Sequence, residues 1–336
     1  MSRKLIAVLF SLLSLVSFLG AQVRVSGKED VNFSWIKTSS DEIGTLTNKA
    51  NIDVVYTDDD NTAGAWIRIG QHSPIESAPS FYRAYGWMSF FDSQIKISAG
   101  KLYSDKYSIY NKKNYEDSSV FSSDSWELNG KNGIMAEFAP AALEGLSAAA
   151  VCETDNYEDG LGMLYVACRY TYSAGENSFG TLLTCHFDNT LANSVASAAL
   201  GFSLGDSIAA DVGVKYNMGY SSFDNNGSSL ITPFAFFQYT SGRLWSKSVL
   251  AAAFDHEGSA ATDYLITENM EYKLTDILSL GINGLYSSTE SESCDSCVEG
   301  DLICYANEKI KIYAGPVWYF GANPAWQLDS GLVVEF

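Results

Sequence analysis

Side chains alternate in kind along residues 326–336: Trp326, Leu328, Ser330, Leu332, Val334 and Phe336 fall on one face, Gln327, Asp329, Gly331, Val333 and Glu335 on the other. A period of two is that of a β-strand, and one greasy face against one polar face suits a sheet between two unlike solvents. The pattern recurs upstream. After a first strand within residues 23–36, residues 49–56 set Ala50, Ile52, Val54 and Tyr56 against Lys49, Asn51 and Asp53. A turn at residues 58–61 follows, and residues 63–70 return with Ala65, Ile67 and Ile69 against Trp66 and Arg68. Residues 81–90 and 94–101 predict a hairpin, with Arg83 and Lys96 on its polar faces. In residues 263–286, Tyr264, Ile266, Met270, Tyr272 and Leu274 lead through a tight turn at Thr275 and Asp276 into Leu278, Leu280, Ile282 and Tyr286; Glu268 breaks the apolar face. Further hairpins are expected around residues 140–145, 175–177, 205–206 and 241–242.

Between these hairpins lie longer stretches rich in Ser, Asp, Asn, Glu and Gly, at residues 37–48, 73–80, 104–131, 154–160, 219–229 and 288–303. Strands joined by alternately short and long connections are the meander of an up-and-down barrel. About sixteen strands precede Gly321 and the last makes about seventeen, an odd number where single-chain bacterial barrels have even ones. The expected fold class is therefore all-β, a transmembrane antiparallel up-and-down barrel of about sixteen strands, with fourteen to eighteen allowed.

Residues 1–21 stand apart. A basic Arg3-Lys4, an apolar run of about fifteen residues from Leu5 to Leu19, and Gly20-Ala21 read as a secretory signal peptide, too short for a membrane-spanning helix. Residues 22–336 then form one barrel domain. They contain no run of eighteen or more apolar residues, so a membrane span would have to be a closed barrel, which satisfies every backbone hydrogen bond in lipid. The whole chain carries a formal charge of −19, and without Arg3 and Lys4 it falls to −21. Such a charge argues against nucleic acid or anionic lipid as partner. The 20 Tyr, 18 Phe and 7 Trp are what aromatic girdles require.

With the strand phases set, the polar face carries charges of both signs. Its basic residues are Arg68, Arg83, Lys96, Arg169, Lys215, Lys273, Lys309 and Lys311, and its acidic ones Asp53, Glu137, Asp211, Asp263 and Glu271. A wettable charged interior is what a diffusion channel needs. The longest stretch without alternation, residues 104–133, follows the fifth strand.

The ending of residues 326–336 on Phe336, directly after Glu335, resembles the C-terminal strand of bacterial outer-membrane β-barrels, where a terminal Phe is part of the signal read by the barrel-assembly machinery. The layout as a whole resembles the general diffusion porins, in which the loop after strand five folds into the lumen as a constriction. That resemblance implies that Asp105, Glu116, Asp117, Asp124 and Glu127 form the acidic side, facing Arg68, Arg83 and Lys96 on the wall. The Pro-Glu-Phe-Gly-Gly motif of many such loops is absent, and an exposed surface loop is the alternative. The resemblance also implies outer-membrane lipid as surroundings, small hydrophilic solutes and ions as cargo, and a monomer or homotrimer.

The remaining candidate chemistry is sparse. Cys294 and Cys297 lie in a polar stretch with Cys304 beyond, fitting a loop disulfide in an oxidising compartment or free thiols. Cys168 and Cys185 share faces with apolar residues. His72, His186 and His256 are scattered, so no metal site or cofactor is expected. No G-x-S-x-G nucleophile motif and no phosphate-binding glycine loop occurs, and no enzymatic activity is expected. The function expected is an outer-membrane porin; the alternative is a closed or narrow barrel acting as adhesin or receptor through acidic loops.

Overall fold

The computed structural model describes residues 22–37, 42–72, 80–104, 106–107, 131–154, 163–187, 194–217, 230–255, 263–287, 296–320 and 324–336. Eighteen strands follow one another: β1 (Gln22–Lys37), β2 (Glu42–Thr57), β3 (Ala63–His72), β4 (Ser80–Phe90), β5 (Ile95–Leu102), β6 (Lys131–Phe138), β7 (Leu146–Glu153), β8 (Leu164–Ala174), β9 (Asn177–Phe187), β10 (Val195–Leu204), β11 (Ile208–Asn217), β12 (Leu230–Ser241), β13 (Leu244–Asp255), β14 (Asp263–Lys273), β15 (Leu278–Ser287), β16 (Ser296–Asn307), β17 (Ile310–Phe320) and β18 (Ala325–Glu335). Each pairs antiparallel with its neighbours in the chain, and β18 pairs with β1, so the sheet closes into a barrel with no free edge.

Eighteen is the upper end of the expected range, and it removes the odd count. The strand missing from the sequence count is in the stretch read as a loop at residues 288–303: β16 starts at Ser296 and turns into β17 through Glu308 and Lys309 alone. Likewise most of the stretch read as loop at residues 37–48 belongs to β2, which pairs with β1 over its whole length.

The turns β2–β3, β4–β5, β6–β7, β8–β9, β10–β11, β12–β13, β14–β15 and β16–β17 stand at one end. There, Gly175, Gly205 and Gly242 take φ between 54° and 64°, the left-handed conformation that tight hairpin turns demand. At residues 58–62 the Asp58 carboxylate does this work, accepting from the Ala63 amide at 3.0 Å and the Thr62 hydroxyl at 2.6 Å. Those two donors hold its carboxyl below the usual carboxylate range. The start of β1 and the end of β18 lie at the same end: the Gly27 and Phe336 amides donate to each other's carbonyls at 2.9 and 3.0 Å, and the Phe336 ring occupies the place a side chain at Gly27 would fill.

Outer and inner faces invert the usual rule of apolar inside and polar outside. Phe81, Met88, Leu183, Leu200, Ile266, Leu280, Trp318 and Leu328 are exposed, whereas Asp53, Arg83, Ser98, Thr184, Lys215, Thr232 and Gln327 are buried. A belt of this kind, with alternating residues turned inward, is the construction of a barrel that faces hydrocarbon outside and water within. Glu268 is on the outer phase and is held by the hydroxyls of Ser246, at 2.7 Å, and Ser248. Apolar packing inside is local: Tyr85, Leu102, Tyr107, Met135, Val151, Tyr165 and Leu182 cluster on β4 to β9, and Phe234, Ala251, Ala253 and Leu265 on β12 to β14.

Candidate functional site: the charged lumen

Beginning at β2, the inner wall is built from cross-strand rows. Asp53 faces Arg68 across the β2–β3 ladder and accepts from its Nε and Nη2, both at 2.7 Å, and from Trp66 Nε1 at 2.7 Å. Arg83 stands opposite Arg68 on β4, where the ladder shifts by one residue. Two like charges side by side are tolerated because Asp53 neutralises one of them. The other guanidinium lies over aromatic faces, with Arg83 Cζ 4.8 Å from the Trp66 ring centre and 3.2 Å from that of Tyr103. Further toward the turn between β4 and β5, opposite Ser89, Lys96 Nζ is 3.7 Å from Glu137 and 5.3 Å from the Trp87 ring.

The chain leaving β5 turns back into this wall. Lys96 lies six positions before the end of β5, yet Lys106, beyond that end, reaches the same Glu137 at 3.5 Å. Arg169 Nη1 on β8 donates to the Lys106 carbonyl at 2.5 Å. Tyr107 is fully buried in the β4–β9 cluster beside Ser147, and burial pushes its phenol up to about 12. An extended strand advances about 3.3 Å per residue, so a segment continuing outward would stand far from Glu137. Tyr103, Lys106 and Tyr107 therefore sit inside the barrel, fixed by one stacked cation, one ion pair and one buried ring.

Arg68, Arg83, Lys96 and Arg169 are gathered about this segment. Lys215 is buried on the inner face of β11, and Lys311 stands inside on β17, with Nζ 5.5 Å from the Tyr313 ring. Lys273 is exposed at the end of β14. Lys309 is exposed in the two-residue turn between β16 and β17, at the edge of the recess that Lys311 also lines. Asp105, Glu116, Asp117, Asp124 and Glu127 lie outside the described residues, as does Cys294; Cys297 is on β16, within the sheet. His186 packs against the Tyr165 ring at 5.3 Å. Among the described residues no group of three or more His, Cys, Asp or Glu is arranged to hold a metal ion.

Several lumen groups escaped the sequence reading. Tyr103, Lys106 and Tyr107 carry no pattern of their own, being the start of an irregular stretch. Glu299 and Asp301 were hidden in the supposed loop at residues 288–303, although alternation with Val298, Gly300 and Leu302 marks them as inward. On this far wall Asn283 Nδ2 donates to Glu299 at 3.0 Å and to Asp301 at 3.4 Å, Tyr305 donates to both oxygens of Glu271 at 3.0 Å, and Asn32 donates to the Tyr313 hydroxyl at 2.9 Å.

A closed antiparallel barrel with an apolar outer belt, a charged interior and an inward-turned segment after strand five is porin-like in fold. Among solved structures it is similar to engineered variants of the porin of Rhodopseudomonas blastica. A double mutant aligns with a TM-score of 0.53 at 14% identity, covering 94% of this chain and 100% of that one. A quintuple mutant aligns with a TM-score of 0.54 at 13% identity and the same coverage. Neither a protein-family model nor a curated protein sequence matches the chain.

Proposed function

We propose that this protein is an outer-membrane porin, a water-filled barrel through which small hydrophilic solutes and ions diffuse passively. The observation that carries the reading is the closed eighteen-stranded barrel with charges of both signs on its inner wall, toward which Tyr103, Lys106 and Tyr107 turn; in this reading they begin a constriction. Eighteen strands enclose more than side chains alone fill, which is the regime of aqueous channels. The exposed apolar belt suits outer-membrane lipid, and the Phe336 end of β18 would be the part read by the assembly machinery. In this reading residues 108–130 continue the constriction, with Asp105, Glu116, Asp117, Asp124 and Glu127 available as its acidic side. Oligomers, homotrimers included, would form through the outer belt.

The test is single-channel recording of the refolded mature protein in a planar bilayer. Discrete, stable current steps in molar KCl are the expected outcome. Silence from protein whose folding is established by heat-modifiable gel migration would reject the channel and favour a narrow barrel that works through its acidic loops.

A further inference from the structure

We propose that the inner wall of β15 to β18 holds a subsite for organic ammonium groups, centred on Asp301. The proposal rests on the reading of the lumen as an aqueous path and names the class of solute that the path would favour.

Asp301 has glycine on both sides. It pairs with Gly281 on β15, and toward β17 its Oδ1 comes 2.7 Å from where a Cβ on Gly315 would stand. Gly315 in turn pairs with Asp329 on β18. Asp301 and Asp329 thus look at each other across a row with no side chain between them. Glu299, two residues before Asp301, faces the lumen as well, and a recess of about 430 Å³ opens here, lined by Asn283, Glu299, Asp301, Tyr305 and Tyr313 among others.

The second observation concerns Asp301 alone. Only 8% of the residue is exposed, and while Oδ2 accepts from Asn283, Oδ1 has no donor among the described residues. A buried carboxylate oxygen without a donor is costly, and a donor that also brings positive charge offsets that cost best, because charge-assisted hydrogen bonds are the stronger ones. The groups present favour an ammonium over a metal ion. Asn283 turns its NH₂ toward the carboxylates and not its carbonyl, so oxygens do not converge on one point, and the Tyr305 and Tyr313 rings offer π faces. Lys311 illustrates the fit: its own ammonium enters this recess over Tyr313, within electrostatic reach of Glu299 and Asp301. It acts as a tethered competitor for a solute ammonium. The recess keeps an excess of negative charge: Asp30, Glu299, Asp301, Glu308 and Glu335 line it against Lys28, Lys309 and Lys311, Asp329 adds to the acids from β18, and Lys28 is engaged with Glu335 at 3.6 Å.

The experiment is isothermal titration of the folded full-length barrel in detergent with butane-1,4-diammonium chloride in 0.1 M KCl. Saturable binding is expected, weakened by about tenfold or more in Asp301→Asn and strengthened in Lys311→Met. Absence of saturable binding, or equal affinity in wild type and Asp301→Asn, overturns the subsite. Should Asp301→Asn not fold, Glu299→Gln and Lys311→Met carry the test, with weaker and tighter binding expected; affinity unmoved in both overturns it. The two readings fail separately. A barrel that conducts KCl yet does not bind the diammonium refutes the subsite alone, and one that binds it but stays silent in bilayers refutes the channel.

Discussion

Asp53 is the residue on which the basic cluster depends. It is the common acceptor for Arg68 and Trp66, and its charge offsets the neighbouring Arg83. Asp53→Ala would leave a half-buried guanidinium and an indole N–H without their acceptor. Removing one partner of such a pair costs about 3 kcal/mol, to be read as a lower denaturant midpoint on gel-monitored unfolding. Reversing the neighbours has a different signature. Arg83→Glu with Lys96→Glu replaces two cations on the wall by two anions, so the reversal potential in a KCl gradient shifts toward the value for cations. An unmoved potential would mean that these side chains do not face the ion path.

At the scale of elements, the segment at residues 103–107 behaves as a tethered latch whose strength depends on the protonation of Tyr107. Burial raises the Tyr107 phenol to about 12, above the ordinary value of about 10 for tyrosine. A group whose folded-state value is raised contributes its stabilisation in full below about pH 10, and that contribution is lost as pH rises through about 12. Conductance should therefore hold steady to pH 10 and then change as the latch lets go, and Tyr107→Phe should abolish that titration while keeping the ring packed. A titration that persists in the Phe variant would assign it elsewhere. Much of this level was legible in advance. The pairing of β14 and β15 follows from clean alternation around a two-residue turn, and the position of the irregular stretch after strand five follows from its lack of alternation. Two strands were not legible, for local reasons. The far half of β2 puts Gly44 on the outer face beside Leu46, and β16 places Gly300 between Glu299 and Asp301. In both, a glycine stands where a large apolar side chain would have given contrast. The inward return of Lys106 and Tyr107 is a tertiary event, set by Glu137, Arg169 and Ser147 on other strands, and no local pattern announces it.

Across the whole barrel the charges separate into two arcs, and ionic strength decides how far each is felt. Cations gather on β3 to β8, where Asp53 and Glu137 offset part of them through short pairs that need little help from solvent. Acids gather on β14 to β18 and β1, where Glu271, Glu299, Asp301, Asp329, Asp30 and Glu335 outnumber Lys28, Lys273, Lys309 and Lys311. The chain as a whole carries −19, the sign of the second arc. An ion in the lumen at about 0.1 M salt feels charges within about 10 Å, which spans much of the distance from wall to axis; at 1 M the reach is about 3 Å. Cations should therefore permeate in preference to anions in dilute KCl, and the preference should fade toward the ratio of bulk mobilities near 1 M. Reversal potentials at a fixed concentration ratio and rising mean concentration measure this directly. Asp301→Asn together with Glu299→Gln should lower the dilute-salt preference and leave the concentrated-salt value alone, because only the unscreened arc has changed. Anion preference in dilute salt would reverse the assignment of the dominant arc, and a preference independent of salt would locate selectivity in a narrow contact at the 103–107 segment instead of in the field of the walls.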